Sequence, residues 1–93
     1  MKMKMKMETE ELKKLKKKAR LLEPLVRIGK NGLTDAVIVQ VKRLVKKRKL
    51  VKVKFLRSFL ETHDRKTAAK RLADATGSEL IDQVGFVAVL YKR

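Results

Sequence analysis

Four residues carry the chemistry this chain advertises: Gly29-Lys30-Asn31-Gly32. A glycine has no Cβ, so it reaches positive φ and lets another backbone come close. A lysine between two such residues puts a cation at the tip of a tight turn, and an asparagine adds donors and an acceptor. An apolar run, Leu25-Val26-Arg27-Ile28, leads in, and Leu33-Thr34-Asp35 opens the next segment. The reading is strand, turn, helix. The helix start adds unpaired N–H groups that suit an anion. The turn is therefore a candidate clamp for a phosphate backbone. It is not a P-loop, which needs G-x-x-x-x-G-K-S/T, and its two-residue spacing also rules out a dinucleotide fingerprint.

Other chemistry is poorly supplied. His63 is the sole histidine, and a lone surface histidine is read as a bystander. Ser58 and Ser78 lack a G-x-S-x-G elbow. The chain has no cysteine, which removes disulfides, thiolate nucleophiles and thiolate zinc sites. No enzyme activity, metal or cofactor is expected. Charge points elsewhere: 26 Lys and Arg oppose 10 Asp and Glu, a formal net of +16 over 93 residues. Self-repulsion at that level disfavours a compact state, so a chain that keeps it meets a polyanion. No apolar run nears the ~20 residues that cross a bilayer. A cytoplasmic protein that does not engage a membrane is expected.

The elements that must hold the turn follow from periodicity. Residues 1–8 alternate Met and Lys at their start and are expected to be a flexible basic tail. Residues 9–93 form one domain. Leu12, Leu15, Ala19 and Leu22 make a helical stripe from about Thr9, with Glu10 and Glu11 in the first turn and Pro24 as the stop. Leu25 to Ile28 is a short strand. Thr34 or Asp35 caps a helix running to about Arg48, on a stripe of Val37, Ile38, Val41, Leu44 and Val45. Leu50 to Phe55 alternates as a half-buried strand. A β-α-β unit of this kind makes its strands parallel. Ser58 to Glu61 has capping-box spacing, but a helix over Arg65 to Thr76 capped by Asp64 is favoured, with Ala68, Ala69, Leu72 and Ala73 inward and Gly77 as its stop. Glu79 to Val84 and Phe86 to Tyr91 form an antiparallel hairpin about Gly85, the second run being an interior strand. The fold class is α/β, an α+β sandwich of order α-β-α-β-α-β-β around a four-stranded mixed sheet.

Around the turn, Arg27, Lys52 and Lys54 point outward from strands, while Lys42, Arg43, Lys46 and Lys47 line the helix that the turn opens. Together they are a candidate phosphate track. Aromatics are few, Phe55, Phe59, Phe86 and Tyr91, so base stacking is expected to be weak, and shape and backbone are what such a surface reads.

The chain resembles the CRM domain, the RNA-binding module typified by bacterial YhbY. The resemblance rests on Leu22-Glu23-Pro24-Leu25-Val26, Ile28-Gly29-Lys30-Asn31-Gly32-Leu33-Thr34, Lys49-Leu50-Val51-Lys52-Val53-Lys54, Thr76-Gly77, Val84-Gly85 and Val89-Leu90-Tyr91-Lys92-Arg93. It runs in order from about residue 10 to Arg93. The resemblance implies a fold like the C-terminal domain of bacterial translation initiation factor three. It also implies a G-x-x-G loop used on RNA as in KH domains, and a role on the ribosome or in assembly of its large subunit. The partner expected is ribosomal RNA or a pre-ribosomal particle, bound by a monomer with no small-molecule substrate. Two rival readings are a DNA-coating chromosomal protein and a protein–protein module of the translation apparatus.

Overall fold

Two of the helices start where a side chain caps them. The computed structural model describes residues 9–92; the expected basic tail lies outside them. Helix α1 spans Thr9–Arg20, with Glu10 and Glu11 at its positive end and Lys17, Lys18 and Arg20 at its negative end, each sign where the helix dipole favours it. It stops four residues short of Pro24. The last turn tightens as Leu21 N–H bonds Lys18 C=O at 3.1 Å and Leu22 N–H bonds Ala19 C=O at 3.0 Å, so Leu22 lies beyond the stripe it was expected to extend. Helix α2, Asp35–Arg48, begins at Thr34, whose hydroxyl accepts from the Val37 N–H at 3.2 Å. Its C-cap is Lys49 at φ 72.

Strand β1 (Val26–Ile28) and strand β2 (Leu50–Phe55) flank α2 and pair in parallel, Arg27 opposite Lys54. The segment after β2 departs from expectation. A single helical turn, α3 (Arg57–Leu60), precedes α4 (Arg65–Thr76), so the order is α-β-α-β-α-α-β-β. No side chain caps α3; what holds it is Phe59, buried to 1% exposure in the core. Asp64 caps α4 and Gly77 ends it in the left-handed region. Strands β3 (Glu79–Val84) and β4 (Val87–Tyr91) form the antiparallel hairpin. Gly85 sits in its turn at φ +57 and Phe86 joins it there, so β4 begins one residue later than the apolar run does.

The sheet order is β1-β2-β4-β3, which makes β4 the interior strand its two apolar faces call for. One face packs on α2, α3 and α4 through Ile28, Val41, Val45, Val51, Val53, Phe55, Phe59, Leu72 and Leu90. The other face takes α1, where Ala19 meets Leu50, Ile81 and Val89, with Leu12 and Leu15 at the margin. Strand parity then decides every outward cation. Because Val26, Ile28, Val51, Val53 and Phe55 face α2 and α4, Arg27, Lys52 and Lys54 face the α1 side.

Candidate nucleic-acid interface

The turn stands at the carboxyl end of β1, beside the carboxyl end of β2. Leu56 N–H reaches Ile28 C=O at 2.8 Å and holds the two ends together. In open sheets with parallel pairs, this is the end where ligands are received. Gly32 N–H bonds Gly29 C=O at 2.9 Å, which closes the turn and puts Lys30 and Asn31 at its exposed tip.

The two glycines have different jobs. Gly32 is buried and has φ +76, a conformation that costs an L-residue about 1–2 kcal/mol. Gly29 does not lie in that region. A Cβ there would meet Leu56 Cδ1 at 3.3 Å and Ser58 Oγ at 3.6 Å, so its bareness lets α3 come close. Urea unfolding is expected to show Gly32→Ala losing about 1–2 kcal/mol and Gly29→Ala less, because the Leu56 tip can shift. Equal losses would contradict this division.

The candidate track is divided by the sheet. Lys42 with Lys46, and Arg43 with Lys47, form two adjacent i, i+4 rows on the exposed side of α2. At 1.5 Å per residue, Lys46 lies roughly 18 Å along the axis from the Thr34 cap. Arg27 and Lys54 lie side by side on the opposite, α1 face. Lys52 is committed elsewhere: its Nζ donates to Leu22 C=O at 2.9 Å and ties β2 to the α1–β1 connection. The turn is at the end of the sheet, from which both faces can be reached.

Next to the turn is a cleft of about 390 Å³, walled by Asn31 and Gly32 on one side and by Phe59, His63, Asp64, Thr67 and Arg71 on the other. None of the last five stood out in the sequence as a site residue. His63 stacks on Phe59, centroids 4.3 Å apart and planes 4° from parallel, and Phe59 stacks in turn on Phe55 at 5.3 Å and 18°. His63 Nδ1 lies 2.9 Å from Thr62 Oγ1 and 3.2 Å from the Phe59 carbonyl oxygen, which fixes the ring edge. Asp64 Oδ2 accepts from Thr67 N–H at 2.9 Å and from Thr67 Oγ1 at 3.0 Å. These bonds, the backbone one foremost, hold its carboxyl below the ordinary carboxylate range, so it is an anion at neutral pH. The signal available was spacing: rings at 55, 59 and 63, and Thr67 with Arg71 on one helical face.

Among the described residues, no group of three or more His, Asp or Glu could hold a metal ion, and no helix is long and apolar enough to cross a membrane.

These features define a small α+β domain with helices on both faces of a mixed sheet and a G-x-x-G turn opening a helix at the sheet's end. The chain belongs to the CRS1 / YhbY (CRM) domain family, whose model matches residues 7–92. It is 40% identical over 78 residues to a probable RNA-binding protein of Methanocaldococcus jannaschii, a match covering 84% of this chain and 58% of that protein. It is 35% identical over 78 residues to the probable RNA-binding protein YqeI of Bacillus subtilis, covering 84% of this chain and 79% of the relative. The chain thus spans less than two thirds of the archaeal relative's length. The solution structure of a hypothetical RNA-binding protein from Staphylococcus aureus superposes with a TM-score of 0.74 at 30% identity, covering 90% of this chain and 85% of that one.

Proposed function

We propose that this chain binds RNA by clamping the sugar–phosphate backbone on the Gly29–Gly32 turn, with ribosomal RNA of an assembling large subunit as its target. The observation that carries the reading is the exposed Lys30-Asn31 tip at the sheet end. There Lys30 supplies charge, Asn31 a hydrogen bond, and the bare turn a close approach. The relatives' assignment to RNA binding supports RNA as the anion. From the turn a strand can run along the cations of α2, Lys42, Arg43, Lys46 and Lys47, or pass to Arg27 and Lys54 on the α1 face. Lys52 serves the fold more than the ligand.

If about six phosphates are neutralised, log affinity falls against log salt with a slope of roughly −4 on single-stranded RNA and −5 on a duplex. Competition between matched RNA and DNA is the decisive binding test. RNA is expected to win, and equal affinity for duplex DNA would overturn the assignment. In cells, crosslinking followed by sequencing of the bound RNA should enrich immature large-subunit ribosomal RNA. Recovery of no RNA would reject the function.

A further inference from the structure

The lining of the cleft beside the turn sets one anion, Asp64, against one cation, Arg71, so it offers an acceptor as well as donors, the mixed set that a base edge uses and a phosphate does not. Asp64 Oδ2 takes both bonds from Thr67, which leaves Oδ1 as an acceptor for a base amino group. Arg71 and Asn31 add donors to the lining. The Asn31–Gly32 side is continuous with the tip assigned to the backbone. A volume of about 390 Å³ falls in the range of sites that hold small planar ligands, ~300–1,000 Å³.

The ring stack completes the site. Phe55 and Phe59 are buried, and each covers the next ring outward. His63 ends the column, is exposed, and lines the cleft. Its inner face is taken by Phe59 and its edge is held through Nδ1. The platform is thus oriented before a ligand arrives, so little ordering cost falls on binding. Aromatic faces of this kind stack unpaired bases, and a duplex keeps its bases out of reach.

We propose that this cleft is a single-nucleotide pocket, in which one unpaired RNA base carrying an exocyclic amino group stacks on His63 and donates to Asp64 while the Lys30-Asn31 tip holds its backbone. The inference rests on the backbone clamp proposed above and adds to it a strand requirement and a base preference. With one platform, the preference is confined to one nucleotide. Cytosine, adenine and guanine fit the acceptor; uracil, which has no amino group, does not.

The full chain, its His63→Ala and His63→Phe variants and the double variant Lys30→Glu, Asn31→Asp are titrated against three fluorescent RNAs. These are an all-uridine strand, the same strand with one central cytidine, and a duplex of equal length. His63→Ala is expected to weaken the cytidine strand about five- to tenfold and to leave the duplex within about twofold, while His63→Phe, which keeps a ring, recovers most of the loss. The cytidine strand should bind the unaltered chain several-fold more tightly than all-uridine. The chain contains no tryptophan, so His63→Trp gives a sole reporter, quenched by the cytidine strand and not by inorganic polyphosphate. Equal loss on single strand and duplex, no loss on either, or equal binding of the two single strands overturns the pocket. Normal affinity of the Lys30/Asn31 variant rejects the clamp, a result separate from a flat response to His63. Matching thermal midpoints for His63→Ala and His63→Phe exclude misfolding as the cause.

Discussion

Reversing the tip of the turn, Lys30→Glu with Asn31→Asp, is expected to lower RNA affinity about 10- to 100-fold while the domain stays folded. The first change removes a charge-assisted contact, worth roughly 1.5–3 kcal/mol, and replaces it with repulsion. The second replaces the tip's amide donors with a second negative charge. Both positions are exposed and lie outside the left-handed region. The thermal midpoint should therefore shift by no more than about 3 °C. The log–log salt slope should become shallower by about one. Full affinity in this variant would mean that the lysines elsewhere hold RNA without the turn. The more obvious choice, aspartate at both glycines, is a poor probe. Gly32 is buried at φ +76 against Phe59, so a charge there harms the fold before it touches a ligand.

Phe59→Ala is expected to cost about 3–5 kcal/mol of stability, the usual range for a core phenylalanine. In a domain of this size that is a fall of roughly 15–30 °C in the thermal midpoint. Phe59 is only 1% exposed. It stacks on Phe55, carries His63 and backs the Gly32 position. It is also the one buried side chain of α3. Without it the single helical turn keeps only the half-buried Leu60 against the core, and the G-x-x-G turn loses its support from below. Chemical denaturation checks the magnitude, with Leu60→Ala, half-buried on the same turn, as a milder comparison. A loss under about 1.5 kcal/mol would show that the cavity closes by relaxation and that Phe59 does not buttress the turn.

Local signals explain which elements could be read without coordinates. Helix α2 has a threonine cap and an unbroken stripe, and β2 alternates from Val51 to Phe55; both run as the residues dictate. Helix α3 was only partly legible: Ser58 to Glu61 has capping-box spacing, but Leu56 takes the N-cap position and no side-chain cap forms. Four residues with no side-chain cap are helical only because Phe59 enters the core. The end of α1 was hidden for a related reason. Pro24 sets the latest point at which a helix can stop, and the chain leaves earlier to reach β1. In the site, the turn itself was legible, but two glycines look alike in a sequence whether they serve a left-handed φ or a close approach. Strand parity showed that Arg27, Lys52 and Lys54 share a face. It could not say that α2 packs on the other one, so one continuous track and two divided surfaces were indistinguishable. The rings at 55, 59 and 63 had helical spacing, yet Glu61 to Thr67 carries no apolar stripe, which favoured the later helix start.

The position of β4 bears on how the chain reaches this fold at all. β4 follows every other described element in sequence but is inserted between β2 and β3. Until it is made, β2 has β1 as its only partner, and the side of β2 away from β1 is an unfilled edge. A growing polypeptide therefore emerges with the basic α1 and α2 segments already made and its central sheet incomplete. The non-local pairing of Leu50 with Tyr91 comes last, and such pairings are slow to form. During that interval the open edge of β2 invites pairing with other chains, while the dense positive charge on α1 and α2 keeps nascent copies apart. The charge that suits an RNA partner would thus also guard the chain during its own synthesis.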